Sequence, residues 1–320
     1  MKSIFSKFLP ILLLAGTAVF ISSCDNDDDD DMIVTPDPMS IVEIAQADAQ
    51  FSILVDALIK ADLVSTVNNG TFTVFAPTNT AFNQLFADLG VSGLDDLTAE
   101  ALTPILLYHV VGGTVRSTDL TNSYVGTASA GPNNQPIKLK VDIAGGVSLN
   151  NTTNVTSADI EATNGIIHVI DKVLLPPNVV DIALGNDNFS ILVQALTRSD
   201  LTFDFVGFLS EEGPYTVFAP TNDAFVALLD SNPAWNSLDD IDATTLDAVL
   251  KYHVIASGNF ESTALSDGIS VATAKGDNIT INTTSGVTVT DANGGVANVA
   301  LADVQGTNGV VHVIDRVLLP

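Results

Sequence analysis

Apolar side chains at Phe51, Leu54, Val55, Leu58 and Ile59 recur at helical spacing and predict one buried helix face. Phe189, Leu192, Val193 and Leu196 repeat the same face further along. Ser40-Ile-Val-Glu43 has the form of a capping box and predicts a helix start there. Thr71 to Phe75 alternates polar and apolar β-formers, which predicts a strand. Pro77 or Pro220 ends that strand, and Thr-Asn begins a helix with Ala81, Phe82, Leu85 and Phe86 inward. Leu97 to Leu107 reads as helix again and runs into Tyr108-His109. The later part of each half alternates instead. Ile137, Leu139 and Val141 interleave with Lys138 and Lys140, predicting one dry and one wet sheet face. Ile279 with Ile281, and Val287 with Val289, follow the same rule. Asn164-Gly165 and Asn308-Gly309 are tight-turn dipeptides ahead of a last strand. Helices first and strands later is an α+β pattern.

The pattern occurs twice. Asn164 to Pro176 returns as Asn308 to Pro320, 144 residues on. Thr73-Val-Phe-Ala-Pro-Thr-Asn79 returns as Thr216 to Asn222, and Tyr108-His109-Val110 as Tyr252-His253-Val254. Phe51 to Val55 returns at Phe189 to Val193, 138 residues on; the extra Glu211-Glu-Gly-Pro-Tyr215 accounts for most of the difference in spacing. A period this long is a whole domain, not a solenoid repeat. The division expected is 1–23, 24–39, 40–176 and 177–320, with Pro176-Pro177 at the seam.

These recurring residues resemble a known family. Thr71 to Phe82 is similar to the first signature of the fasciclin (FAS1) domain, Asn164 to Leu174 to its second, and Tyr108-His109-Val-Val to its tyrosine–histidine motif. The resemblance implies two tandem domains, each a wedge-shaped β-sandwich with helices along one side. It implies a non-catalytic adhesion or matrix-type protein whose partner is an extracellular or cell-surface protein or polysaccharide. In animal members the equivalent tyrosine–histidine motif and an Asp-Ile motif are implicated in adhesion. Carried over, these mark Tyr108, His109, Asp159, Ile160, Tyr252, His253, Asp303 and Val304 as candidate contacts.

The first 23 residues stand apart. Lys2 and Lys7 precede an apolar run from Phe8 to Ile21, which is short for a membrane span and fits a secretory signal. Ile21-Ser-Ser-Cys24 resembles a bacterial lipobox, which implies a lipid on Cys24, the only cysteine. The alternative is an ordinary secreted chain with a spare thiol; a disulfide within the chain is excluded. Asp25 to Asp31 is a solvated tether, and acids in this place also resemble the surface-export signal of Bacteroidota lipoproteins. The implied location is the outer membrane, facing outward.

The chain has 11 Lys+Arg and 38 Asp+Glu. Without residues 1–23 it has nine against 38, a net of −29. Nucleic acid and anionic lipid surfaces are therefore poor partners. All four histidines, His109, His168, His253 and His312, sit in the repeated motifs. His168 and Asp171 point to opposite faces of a strand and cannot act as a dyad. No nucleophile elbow, zinc helix or phosphate loop is present, so neither enzyme activity, a cofactor nor a metal is expected. The histidines are expected to tie helix to strand through their ring nitrogens. Two other classes stay open: a glycan- or small-ligand-binding accessory lipoprotein, and a purely structural envelope protein. Trp235 is the only tryptophan, and sugar platforms usually need exposed rings.

Overall fold

The structure is a computed structural model and describes residues 37–320. Cys24 and the run Asp25 to Asp31 lie outside the described residues. Pro38–Pro320 is one compact unit that contains both copies.

The first copy opens with helices α1 (Ile41–Ala47), α2 (Ser52–Lys60) and α3 (Val64–Asn68). Ser40 and Glu43 close the capping box at α1. Strand β1 (Phe72–Pro77) follows, then α4 (Asn79–Leu89), capped by the Thr78 side chain. Helix α5 (Ala99–Tyr108) leads into β2 (Val110–Gly112). The rest is β: β3 (Ser123–Ala130), β4 (Pro136–Asp142), β5 (Ser148–Leu149), β6 (Thr153–Ala162) and β7 (Gly165–Ile170). Neighbours in sequence pair antiparallel, and β7 pairs parallel with β1, closing a seven-stranded barrel.

The second copy repeats this with α6 (Val179–Leu184), α7 (Ser190–Leu196), α8 (Phe205–Ser210), β8 (Tyr215–Pro220), α9 (Asn222–Asp230), α10 (Ala243–Tyr252) and β9 (Val254–Ile255). Strands β10 (Ile269–Ala272), β11 (Asn278–Asn282), β12 (Thr288–Thr290), β13 (Val296–Gln305) and β14 (Gly309–Ile314) complete it. Its sheet runs β10-β11-β12-β13-β14-β8-β9, the same circuit left open between β9 and β10. The α+β class and the tandem arrangement of the sequence reading both hold.

Strand β1 shows why the motif is so apolar. Val74 packs into a core shared with α1, α2, α4 and α5, whereas Phe75 points into a second core inside the barrel with Ile137, Leu139 and Val141. Both faces of β1 are buried, as expected for a strand held in parallel pairing. The hairpin at Asn164-Gly165 turns on Thr163 and Asn164; Gly165 already pairs with Ala162 and Phe72. A Cβ there would lie 1.8 Å from the Phe72 carbonyl oxygen, so only glycine lets β7 meet β1.

Candidate functional site

Tyr108 ends α5 and His109 is its C-cap residue. The His109 Nδ1–H donates to the Ile105 carbonyl at 2.8 Å, a group freed by the helix end. Its Nε2 accepts from the Leu174 backbone N–H at 2.9 Å. The Leu174 donor fixes the tautomer, because Nε2 must present a lone pair. His253 repeats both bonds with Val249 and Leu318. Burial holds the two imidazoles down at about 4, so they are neutral. The Tyr108 hydroxyl donates to the Lys138 carbonyl and accepts from Asn150, both at 3.0 Å. Burial pushes its ionisation well above the ordinary phenol range.

The second constellation joins Ser117, Asp159 and His168. Asp159 sits at an irregularity of β6 with φ of 61°, a left-handed turn of the backbone. Its carboxylate accepts from the Ser117 backbone N–H at 2.8 Å and hydroxyl at 2.5 Å. These bonds keep its pKa below the usual carboxylate range. The Asp159 backbone N–H donates to His168 Nδ1, and His168 Nε2 donates to the Val115 carbonyl at 3.0 Å. Ser262, Asp303 and His312 repeat this set, His312 reaching the Phe260 carbonyl.

The residue types are those of a hydrolytic triad, but the wiring is different. The serine hydroxyl donates to the carboxylate, not to the imidazole, and each imidazole nitrogen is bound to backbone. A catalytic base needs a nitrogen facing its nucleophile. Asp171 is elsewhere, its carboxylate accepting from the Asn154 backbone and side-chain amides.

The expected contact residues therefore divide. Tyr108 and Tyr252 are 0 % exposed, His109 2 % and His253 4 %, so all four lie in the interior of the fold. Helices α5 and α10 turn these side chains inward, onto the sheet and the closing segments at Leu174 and Leu318. Val304 is buried as well. Asp159, Ile160 and Asp303 are half-buried. Ile160 packs on the helical core, and both aspartates hold the serine ahead of β3 or β10.

Sequence reasoning passed over the asparagines. The Asn164 side chain accepts from the Ile41 N–H at 2.9 Å and donates to the Val67 and Gly70 carbonyls. It fastens the last hairpin to the start of α1 and the end of α3. Asn308 does the same with Val179, Leu209 and Glu211. Asn79 and Asn222, the first residues of α4 and α9, clamp the entrance of α2 and α7. The signal was their exact recurrence inside both motifs, which the turn reading alone did not use.

Where the copies meet, the residues are ones that do not recur. The β3–β4 hairpin of the first copy reaches the second, and Asn133 donates to the Asn259 carbonyl at 3.1 Å. Asn259 and Gln305 form a buried amide pair behind it. Lys140 Nζ donates to the Gly185 carbonyl at 3.1 Å, Asn186 donates to the Tyr124 hydroxyl at 3.3 Å, and Tyr124 packs against the second copy's core. The face of β4 expected to be wet is thus half-buried at the seam.

Among the described residues, no group of three or more His, Cys, Asp or Glu is placed to hold a metal ion, and no helix is long and apolar enough to cross a membrane.

A family model, the fasciclin domain, matches residues 49–176 and 187–320. The protein sll1483 of Synechocystis is 42% identical over 144 residues, covering 45% of this chain and 77% of that protein. Human periostin is 30% identical over 255 residues, which is 78% of this chain and 28% of periostin. Pig transforming growth factor-beta-induced protein ig-h3 is 31% identical over 255 residues, 78% of this chain and 35% of that one. The chain thus spans about a third of the length of these two animal relatives. Among solved structures, a FAS1 domain pair from the insect cell adhesion molecule fasciclin I aligns with 87% of this chain and 96% of that one, at 21% identity and a TM-score of 0.48.

Proposed function

The chain belongs to the fasciclin domain family, and on that premise we propose that it is a non-catalytic adhesion protein, anchored by a lipid on Cys24. Its two domains, 40–176 and 177–320, stand on the tether 24–39 after loss of 1–23 and bind an extracellular or cell-surface protein or polysaccharide. The observation that carries the non-catalytic reading is the saturation of the repeated motifs. Each of the four histidines has both ring nitrogens engaged with backbone groups. None is left to move a proton for a substrate. The binding class rests on the fasciclin domain matches over both copies.

The lipid reading rests on the basic start, the short apolar run and the lone Cys24. Mass spectrometry of the mature N-terminus should find an acylated cysteine, and Cys24→Ser should be released from membranes or remain unprocessed. Cleavage elsewhere with a free Cys24 thiol would sink this reading. Whole cells should adhere to a matrix surface only when they carry the wild-type chain. Equal adhesion by cells lacking it would remove the adhesion reading. Replacing Asp27 to Asp31 with Ser/Gly should leave thermal unfolding unchanged and lower protease access on whole cells.

A further inference from the structure

We propose that the cleft between the two copies is a binding site for a neutral, hydroxyl-rich ligand, a short stretch of an uncharged polysaccharide. The inference rests on the surface-binding reading and names its ligand class and its place.

The cleft has a volume of about 870 Å³, large enough to bury several sugar rings. One wall is the outer face of β3 and β4, with Tyr124, Lys138 and Lys140. The other is Asn186 with Asp187 and the strip Ala300 to Asp303 of β13. Tyr124 is the one tyrosine of the four that is not buried. It supplies an aromatic ring to the cleft, although part of that ring also packs against the second copy's core. Leu301, 40 % exposed, extends this apolar platform across the cleft.

The polar groups around the platform alternate in kind. Lysine ammoniums donate, aspartates accept, and the asparagine amide does both. A sugar hydroxyl donates and accepts at once, and the C–H face of its ring suits an aromatic or aliphatic surface. A polyanion fits poorly. Asp142, Asp187 and Asp303 line the cleft against two lysines, and Lys140 is already bonded to Gly185 and Asn151.

The walls are fixed before any ligand arrives, by the bonds from Asn133 to Asn259, Lys140 to Gly185 and Asn186 to Tyr124. A preformed cleft avoids the ordering cost of closing on its ligand. The lining is also particular to this junction. Lys138 and Lys140 flank Leu139 on β4, whereas Asn278 and Thr280 flank Ile279 at the matching place on β11. The motif residues recur in both copies, but these do not.

The test is binding of the intact chain, in detergent and immobilised, to tetrasaccharides of glucose, mannose and galactose, with polygalacturonate as the charged probe. At least one neutral tetrasaccharide should bind, with less than about a twofold change when salt is raised. Tyr124→Ala and Ala300→Trp should each weaken it by about tenfold or more. Tyr124→Phe keeps the ring, loses only the bond to Asn186, and should retain binding within about threefold. Thermal unfolding of every variant is followed, so that loss of the seam is recognised. The inference is overturned if no neutral sugar binds, if only polygalacturonate binds in a salt-sensitive way, or if binding survives both Tyr124→Ala and Ala300→Trp. Cell adhesion separates the two readings. Adhesion that needs the chain but ignores Ala300→Trp sinks the cleft alone. Adhesion that does not need the chain sinks the surface-binding reading.

Discussion

Leu174 donates its backbone N–H to Nε2 of His109, 65 residues earlier in the chain, at 2.9 Å. Leu318 and His253 stand in the same relation at the same distance. The bond ties the segment after the last strand to the end of helix α5, or α10 in the second copy. Burial disfavours the charged ring, and the bond fits the neutral one, because Nε2 meets an N–H instead of a carbonyl. Protonation would set two N–H groups against each other.

Stability should therefore fall on mild acidification. An unfolded histidine titrates near 6.5, whereas His109 and His253 in the fold hold out to about 4. Between those values the unfolded chain binds protons that the native chain does not, so stability is complete above pH 6.5 and lost as pH falls toward 4. At about 1.4 kcal/mol per pH unit, each histidine accounts for roughly 3 kcal/mol. Urea unfolding at pH 7, 6, 5 and 4.5 measures it. A flat profile over that window would contradict the neutral, bonded imidazole.

His109→Ala should destabilise the first copy by about 1–3 kcal/mol, leaving the Leu174 N–H and Ile105 carbonyl unpartnered. The second copy should be unaffected, because distant sites act additively. Adhesion, measured in parallel, should fall only with the unfolded fraction. Loss of adhesion in a His109→Ala, His253→Ala protein with wild-type unfolding would return these residues to the contact set.

Asn164→Ala should cost about 2–4 kcal/mol, because it strands the Ile41 N–H and the Val67 carbonyl together. Asn164→Asp keeps the acceptor but loses both donated bonds, so it should not restore stability. Chemical denaturation of both variants is the check; an Asn164→Asp protein as stable as wild type would mean that the Ile41 bond alone matters.

Gly165→Ala should cost more than about 3 kcal/mol, since its Cβ would lie 1.8 Å from the Phe72 oxygen in the β1–β7 pair. Gly90→Ala is the control. Gly90 also has positive φ, at 68°, but nothing lies within 4 Å of its Cβ, so only the backbone term of about 1 kcal/mol applies. Equal costs at the two sites would refute the close-approach argument.

Each copy has its own helical core and barrel core, so fragments 38–176 and 177–320 should each unfold cooperatively. The seam should raise the stability of both in the intact chain. Asn133→Ala with Lys140→Ala removes two bonds across it, each of about 1 kcal/mol. In calorimetry the intact chain should show one transition and the double variant two. Identical traces would mean that the copies are not energetically coupled.

Much of this protein was legible in its sequence, for local reasons. Helical spacing at Phe51 to Ile59, the Ser40–Glu43 capping box and the alternation about Leu139 are each set by neighbours within a few residues. The 144-residue repeat disclosed the tandem, and four histidines confined to the motifs pointed to a structural role. Tertiary structure decided what depends on distant partners. Nothing near Tyr108 in the chain says that the Lys138 carbonyl and Asn150 bury it, or that Asn164 reaches back 123 residues to Ile41. Alternation marks Lys138 and Lys140 as pointing away from their own core, but not what stands opposite. Periodicity reports which side of a strand faces its own interior. Only the packing of one copy against the other turned that outer face into the wall of a cleft.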